Sequence, residues 1–363
     1  MRVLIAPDKF AGTLTAVEAA EAIAEGWRRR AADDETVQVP MADGGPGFCD
    51  VLHASLGGDL LAVTVTGPYG RPVPATVLLA EGTAYVESAQ ACGLHLTPHA
   101  ERDPERATSY GVGELLAAAV DAGARRIVVG LGGSATNDGG AGLLAALGAS
   151  ADAPLDRGPA ALAQVSQVDL APARTRLAEV ALLAASDVDN PLLGLTGATN
   201  VYGPQKGVAE ERKQALDAAL EAFAHATERR TANTKGAGAA GGLGFALLLL
   251  GADRTPGVEL VADTVGLPAQ AAAADLVVTG EGAFDFSSRS GKVAYGVAAV
   301  AGRALRPCIA LAGQVLVGSR EIRAMGVESA YSVVDLVGEE TAFSRPGESL
   351  SRLAERVART WSG

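Results

Sequence analysis

The stretch at residues 127–148, IVVGLGGSATNDGGAGLLAALG, constrains this chain more than any other. Ile127, Val128 and Val129 are β-branched and read as a buried strand, and the Ala- and Leu-rich run at the far end reads as a helix. Between them Gly130, Gly132, Gly133, Gly139, Gly140 and Gly142 let the backbone bend tightly and come close to a partner. Ser134, Thr136, Asn137 and Asp138 are short polar residues of the kind that cap helices, and a helix start offers unpaired N–H groups and the positive end of its dipole. A strand, a glycine-rich loop and a helix in this order suit an anion, above all a phosphate. Three readings compete: a turn without a ligand, a dinucleotide site, and a phosphoryl-transfer loop. For the second, Gly130, Gly132 and Ala135 fit G-x-G-x-x-G/A, with Asp152 about twenty residues on. That fit is weak, because Asp152 lies in GASADAP, a loop pattern rather than the end of a second strand.

The rest of the chain narrows the choice. A length of 363 residues exceeds one average domain and points to two. Hydrophobic residues make up 48% but aromatic ones only 4%, so the cores are expected to be built from Ala, Val and Leu, as in close-packed α/β layers. A formal net charge of −12 without a long basic run argues against nucleic acid and anionic membranes as partners. The short basic run at 28–30 reads as the solvated end of the first helix. Cys49, Cys92 and Cys308 are far apart and match no metal spacing, which points to reduced thiols in a cytosol. The N-terminal MRVLIAPDKF has no signal-peptide pattern, and the LLLL run at 247–250 is too short to span a bilayer, so a cytoplasmic protein is expected.

In chain order, residues 2–6 form an apolar strand ending in Pro7, Asp8 and Lys9, and Thr15 with Glu18 makes a capping box for a helix over 15–30. Ligands of open α/β sheets bind past the carboxyl ends of strands, which puts Asp8 and Lys9 where chemistry is expected; an ordinary turn with a surface ion pair is the alternative. A second strand at 36–40 ends in MADGGPG, again an acid, Asp43, followed by paired glycines beginning with Gly44. Residues 59–89 alternate apolar and polar, broken by GPYG and EG, the pattern of a three-stranded antiparallel meander. A strand at 179–185 ends in SDVDNPL. In an extended segment Asp187 and Asp189 project to one side, and two like charges so close require a cation or a shared proton. An Asx-rich turn before Pro191 is the plainer reading.

Lys206, in VYGPQKGV before a long amphipathic helix at 210–229, either reaches a phosphate or is simply exposed. GAGAAGGLG at 236–244 is explained as well by close helix packing as by a ligand. The last third alternates strand and helix again: a strand at 276–279, a loop carrying Glu281, Asp285, Ser287 and Lys292, then a helix. It is not a Walker A loop, since Phe286 stands where the first glycine belongs and Val293 follows Lys292. Further strands at 308–312 and 329–334 would complete the sheet begun at 2–6. The expected architecture is therefore α/β in two domains: a discontinuous, mainly parallel one (1–65 plus 280–363) and an inserted mixed α/β one (66–279) that carries the GLGGSATNDGG loop.

APDKFAGTLTA, PMADGG, GLGGSATNDGGAG, SDVDNPL, GPQKG, GAGAAGGLG and TGEGAFD…GK follow one another from residue 6 to residue 292. In this order they resemble the bacterial glycerate kinase family, whose members phosphorylate D-glycerate with ATP and are generally associated with 2-phosphoglycerate as product. The resemblance implies two α/β domains, one of them Rossmann-like, with ATP and Mg²⁺ acting in the cleft between them. Ala11 and Phe286 depart from the family pattern, which often has a second Lys near the first position and a Gln at the other.

Phosphoryl transfer needs positioning, Mg²⁺ and positive charge on the transferring oxygens. The four histidines, His53, His95, His99 and His225, lie outside the motif loops, so an aspartate is the natural base. The resemblance makes Asp187 or Asp189 base and metal ligand, with Asn190 and Lys9 completing the catalytic set. Asp8 and Asp43 would hold Mg²⁺ or glycerate hydroxyls. Gly132, Gly133, Ser134 and Thr136 would cradle ATP phosphates or the substrate anion, with Gly44, Asn137 and Asp138 beside them. Lys9, Lys206 and Lys292 would neutralise phosphate or the glycerate carboxylate, and Glu281 and Asp285 would close the site from the first domain. An NAD(P)-dependent oxidoreductase acting on a small hydroxy acid is the alternative. Monomer and homodimer are both compatible with the sequence.

Overall fold

The computed structural model describes residues 1–10, 12–286 and 293–362. Its strands, in chain order, are β1 (Arg2–Ile5), β2 (Glu35–Gln38), β3 (Asp59–Thr66), β4 (Pro72–Ala80), β5 (Thr83–Glu87), β6 (Arg126–Gly130), β7 (Ser150–Ala151), β8 (Val168–Asp169), β9 (Ala181–Ala185), β10 (Asp253–Thr255), β11 (Leu276–Phe284), β12 (Cys308–Val315) and β13 (Ser329–Ser332). The chain divides into two compact units. Met1–Asp43, Asp50–Gly57 and Val258–Gly363 make the first, Gly44–Cys49 and Gly58–Gly257 the second.

The first unit is built on a five-stranded sheet ordered β13-β12-β11-β1-β2, parallel throughout. Parallel neighbours need a crossover, and the helix Ala16–Arg30 supplies the one from β1 to β2. Its start is fixed as the sequence predicts: Thr15 Oγ1 accepts from Glu18 N while the Glu18 carboxylate accepts from Thr15 N. Its apolar face, with Ile23 and Trp27, shares one core with Val3 and Ile5 of β1, Leu276 and Val278 of β11, and Leu353 and Val357 of the helix Pro346–Trp361. From β1 the chain first moves to one side, to β2, and later returns on the other side through β11, β12 and β13. The point between β1 and β11 is thus a topological switch, where strand ends leave a crevice in folds of this kind.

The second unit holds a six-stranded mixed sheet ordered β10-β9-β6-β5-β4-β3. β3, β4 and β5 form the antiparallel meander expected from the alternating pattern, and β5, β6, β9 and β10 run parallel. Ala, Val and Leu dominate its core, and Phe223 and Phe245 meet edge to face within it.

Four details differ from the sequence reading. β3 pairs with β4 along its whole length and β11 pairs with β1 and β12, so residues 59–66 belong to the second unit and 276–284 to the first. Pairing with β12 carries β11 on to Phe284, which makes Glu281 a strand residue rather than a loop residue. GPQK closes the helix Ala198–Lys206, ended by Gly207 at φ 98°, so Lys206 sits in a helical turn. Ser287 and Lys292 lie outside the described residues. Among the described residues no helix is long and apolar enough to cross a membrane.

Candidate active site

In the second unit, β6 leads into the GLGGSATNDGG loop, and its first glycines answer to another stretch of backbone. A Cβ on Gly130 would stand 2.6 Å from Gly44 O, one on Gly132 2.6 Å from Gly45 Cα, and one on Gly133 2.9 Å from Pro46 Cγ. Gly44 itself has φ 91°, and a Cβ there would lie 2.8 Å from Ala185 O. Two loops packed backbone to backbone require these glycines. GAGAAGGLG does the same farther along: a Cβ on Gly241 would meet Thr136 O at 1.8 Å, and Gly139 N donates to Gly241 O at 3.0 Å. Of the two explanations open for that stretch, close packing is sufficient.

The helix after the loop, Ala141–Ala146, does not offer its start to a phosphate. Asp138, fully buried, accepts from Ser109 N and Ser109 Oγ at 2.8 Å each, from Gly140 N at 3.1 Å and from Gly142 N at 3.2 Å. Ser109 Oγ in turn accepts from Leu143 N at 3.0 Å. The chain's own carboxylate thus caps this helix start, in the place where an external anion was expected. Burial raises its pKa, and the donors around it oppose that rise. Asn137 is likewise buried, with Nδ2 on Thr199 Oγ1 at 2.9 Å.

Lys206 is only 3% exposed. Its Nζ donates to Thr136 O at 2.6 Å and to Ser134 Oγ at 3.0 Å, tying the loop down from inside. Burial lowers its pKa to about 8, against the opposing influence of Cys92 and Asp138. Lys206 is therefore not exposed, and its ammonium is engaged inside the loop. Ser134 and Thr136 are also buried, which leaves Gly132 and Gly133 as the accessible part of the loop.

At the end of β9 the two aspartates differ. Asp187 is half-buried, whereas Asp189 is exposed, its carboxylate 2.6 Å from Arg254 Nη2 and 3.5 Å from Lys235 Nζ. Two side-chain cations thus meet the need that the Asp-x-Asp spacing created at Asp189. Asn190 is engaged at both ends of its amide: Nδ2 donates to Thr196 O at 2.7 Å and Oδ1 accepts from Tyr202 OH at 2.8 Å. It braces this loop through both atoms of its amide.

In the first unit, Asp8 N donates to Gly280 O and Met41 N to Pro7 O, which lays the ends of β1 and β11 and the stretch after β2 side by side. Lys9 Nζ stands 3.6 Å from the Asp8 carboxylate and 3.8 Å from that of Asp43. Asp8 is only 9% exposed. Burial, with a smaller push from Asp43, raises its pKa to about 6 despite Lys9. Glu281 is buried on β11 and Asp285 half-buried just past it. A carboxyl pushed up by burial at a strand end marks a candidate functional site. Among the described residues no group of three or more His, Cys, Asp or Glu is arranged to hold a metal ion. Mg²⁺ needs no such cage, since one or two carboxylates and nucleotide phosphates suffice, and Asp8 and Asp43 fit that requirement.

Several contributors escaped the sequence reading. Glu87, at the end of β5, accepts from Gly47 N at 3.1 Å and Cys49 N at 3.3 Å and so fixes the start of the helix Phe48–Leu56. A carboxylate closing the apolar run TAYVE was a readable signal, the same as at Asp8 and Asp43. Arg254, Lys235 and Ser109 carried no local signal. Asp152 accepts from Ser166 N and Gln167 N beyond β7, which pairs with β8 and not with β6. It cannot serve as the acid that a dinucleotide site needs, and that reading falls.

Residues 3–362 match the model of the glycerate kinase family. The chain is 41% identical to a glycerate kinase of Bacillus subtilis, covering 99% of this chain and 97% of that protein. It is 38% identical to a glycerate 2-kinase of Escherichia coli K12, covering 99% and 98%. A crystal structure assigned as glycerate kinase 2 from Salmonella typhimurium LT2 superposes with a TM-score of 0.84 at 39% identity, over 99% of this chain and 98% of that one.

Proposed function

The chain belongs to the glycerate kinase family, and from that premise we propose that it transfers the terminal phosphoryl group of ATP to D-glycerate, with Mg²⁺, giving 2-phosphoglycerate. The observation that carries this reading is the Asp8, Lys9 and Asp43 cluster at the switch point of a parallel sheet, with Asp8 buried and Lys9 and Asp43 half-buried beside it. The relative named glycerate 2-kinase supports the 2-position.

Phosphoryl transfer requires positioning and charge neutralisation more than covalent help. Asp8 and Asp43 are the carboxylates that would hold Mg²⁺, which when bound would neutralise charge on the phosphate oxygens. Lys9, between them, adds positive charge for the transferring group. Gly132 and Gly133 offer backbone N–H groups to the glycerate carboxylate. Asp187 takes the hydroxyl proton as base. Asp189, held by Arg254 and Lys235, and Asn190, held by Thr196 and Tyr202, keep the loop that carries Asp187 in one shape.

Incubation with ATP, Mg²⁺ and a panel of small hydroxy acids, with products read by phosphorus NMR, tests the reading. D-Glycerate should give 2-phosphoglycerate. A panel that consumes no ATP, or gives only the 3-isomer, overturns the reaction or the position respectively.

A further inference from the structure

The first unit contains a narrow apolar slot of about 190 Å³ that no step above uses. Its walls come from both sides of the switch point: Phe10 follows Lys9 beyond β1, Ala283 lies on β11 and Gln314 on β12. Val334, Phe343 and Leu350, from three successive helices near the C-terminus, close it. Most of the lining is apolar; Thr13 adds a hydroxyl, and two further residues stand out. Gln314 brings a carboxamide, both donor and acceptor, and Phe343 stands 57% exposed at the rim. Its exposed ring offers a flat apolar face at the mouth of the slot, on which a planar ligand can stack.

We propose that this slot receives the adenine base of the phosphoryl donor, with Phe343 as its stacking surface and Gln314 facing its polar edge. The proposal rests on the kinase reading for the need of a nucleotide, and on three independent features for the place. The slot opens past the carboxyl ends of β1, β11 and β12 at a reversal of strand order, where nucleotides bind in doubly wound sheets. Its volume falls below the roughly 300 Å³ at which pockets for whole small molecules begin, so it suits one ring system and leaves ribose and phosphates outside. Phe10 in its wall is the next residue after Lys9, which puts the cation for the phosphates in the same loop as the base pocket.

Two variants of the full chain test this, Phe343→Ala, which truncates an exposed side chain, and Gln314→Leu, which keeps size and removes the amide. Loss of a base–aromatic stack predicts a rise of about tenfold in KM for ATP with Phe343→Ala at unchanged KM for glycerate. Gln314→Leu should narrow the preference for ATP over GTP. Saturation-transfer NMR with AMP should show strong transfer to the purine ring protons in the unaltered protein and weak transfer in Phe343→Ala. Unchanged KM for ATP in both variants, with undiminished ring-proton transfer, overturns the assignment. So does a change of oligomeric state in Phe343→Ala at unaltered KM, which would assign the slot to a second copy of the chain. If the unaltered protein phosphorylates nothing, the kinase reading fails, and the AMP experiment still decides the slot.

Discussion

The loop at 130–142 and the strand end at 7–9 make opposite use of similar materials. The loop has more glycines and polar side chains than any other stretch, yet Asp138 is satisfied by Ser109, Gly140 and Gly142, Lys206 by Thr136 and Ser134, and the glycines are accounted for by closely packed backbone and side chains. The strand end is short and plain, yet it holds a buried carboxyl whose pKa is raised to about 6. A glycine-rich loop reports first that backbones come close. At the strand end the buried Asp8 carboxyl lies beside half-buried Lys9 and Asp43, so its charge sits where a ligand can meet it.

The contrast can be broken most decisively at the strand end. Asp8→Asn should lower turnover by about a hundredfold or more, in line with loss of a metal-holding or acid–base group. The same variant should be more stable than the parent at neutral pH. The folded-state pKa of Asp8 is raised from 3.8 to about 6, so the folded protein binds the proton more tightly than the unfolded chain. Stability from this group is therefore present below pH 3.8 and is lost as pH rises through about 6, by about 3 kcal/mol at most. Denaturant titrations at pH 4.5 and 7.5 should show this loss in the parent and not in Asp8→Asn. A destabilised Asp8→Asn with normal turnover would make the strand end structural.

Asp187→Ala should also cost about a hundredfold or more in turnover, while Asp189→Ala, which removes an exposed ion pair, should cost less than about tenfold. The reverse ranking would move the base to Asp189. In the loop, Asp138→Asn should cost about 3 kcal/mol of stability, seen as a lower melting temperature, and leave turnover of the folded fraction nearly unchanged. Undiminished stability with lost nucleotide or glycerate binding would restore Asp138 to the site. Asn190→Ala should have the smallest effect, about 1 kcal/mol of stability for its two hydrogen bonds, measured by denaturant unfolding.

The elements were legible where the pattern was local. The capping box at Thr15, the meander of β3 to β5 and the parallel strands with acids at their ends follow from periodicity and turn chemistry within a few residues. β11 was cut short at Thr279 because its continuation through Gly280 to Phe284 depends on pairing with β12, and glycines in a strand read as a loop. The sequence places Lys206 before a helix, since Gly203 and Pro204 argue against one there, whereas the first turns of Ala198–Lys206 are already formed before Pro204 enters. For the candidate site, the sequence points to the strand-end loops but not to which side chains in them are already engaged.

The sequence alone determined that the chain is α/β, that acids and glycines gather past strand ends, and that its motifs run in the order of one family, since each depends on neighbours along the chain. Only the tertiary structure decided which charges are already satisfied. Asp138 finds Ser109, Lys206 finds Thr136 70 residues away, and Asp189 finds Arg254. The free energy of a buried charge is set by the groups that folding brings around it, and those come from parts of the chain that no local pattern connects.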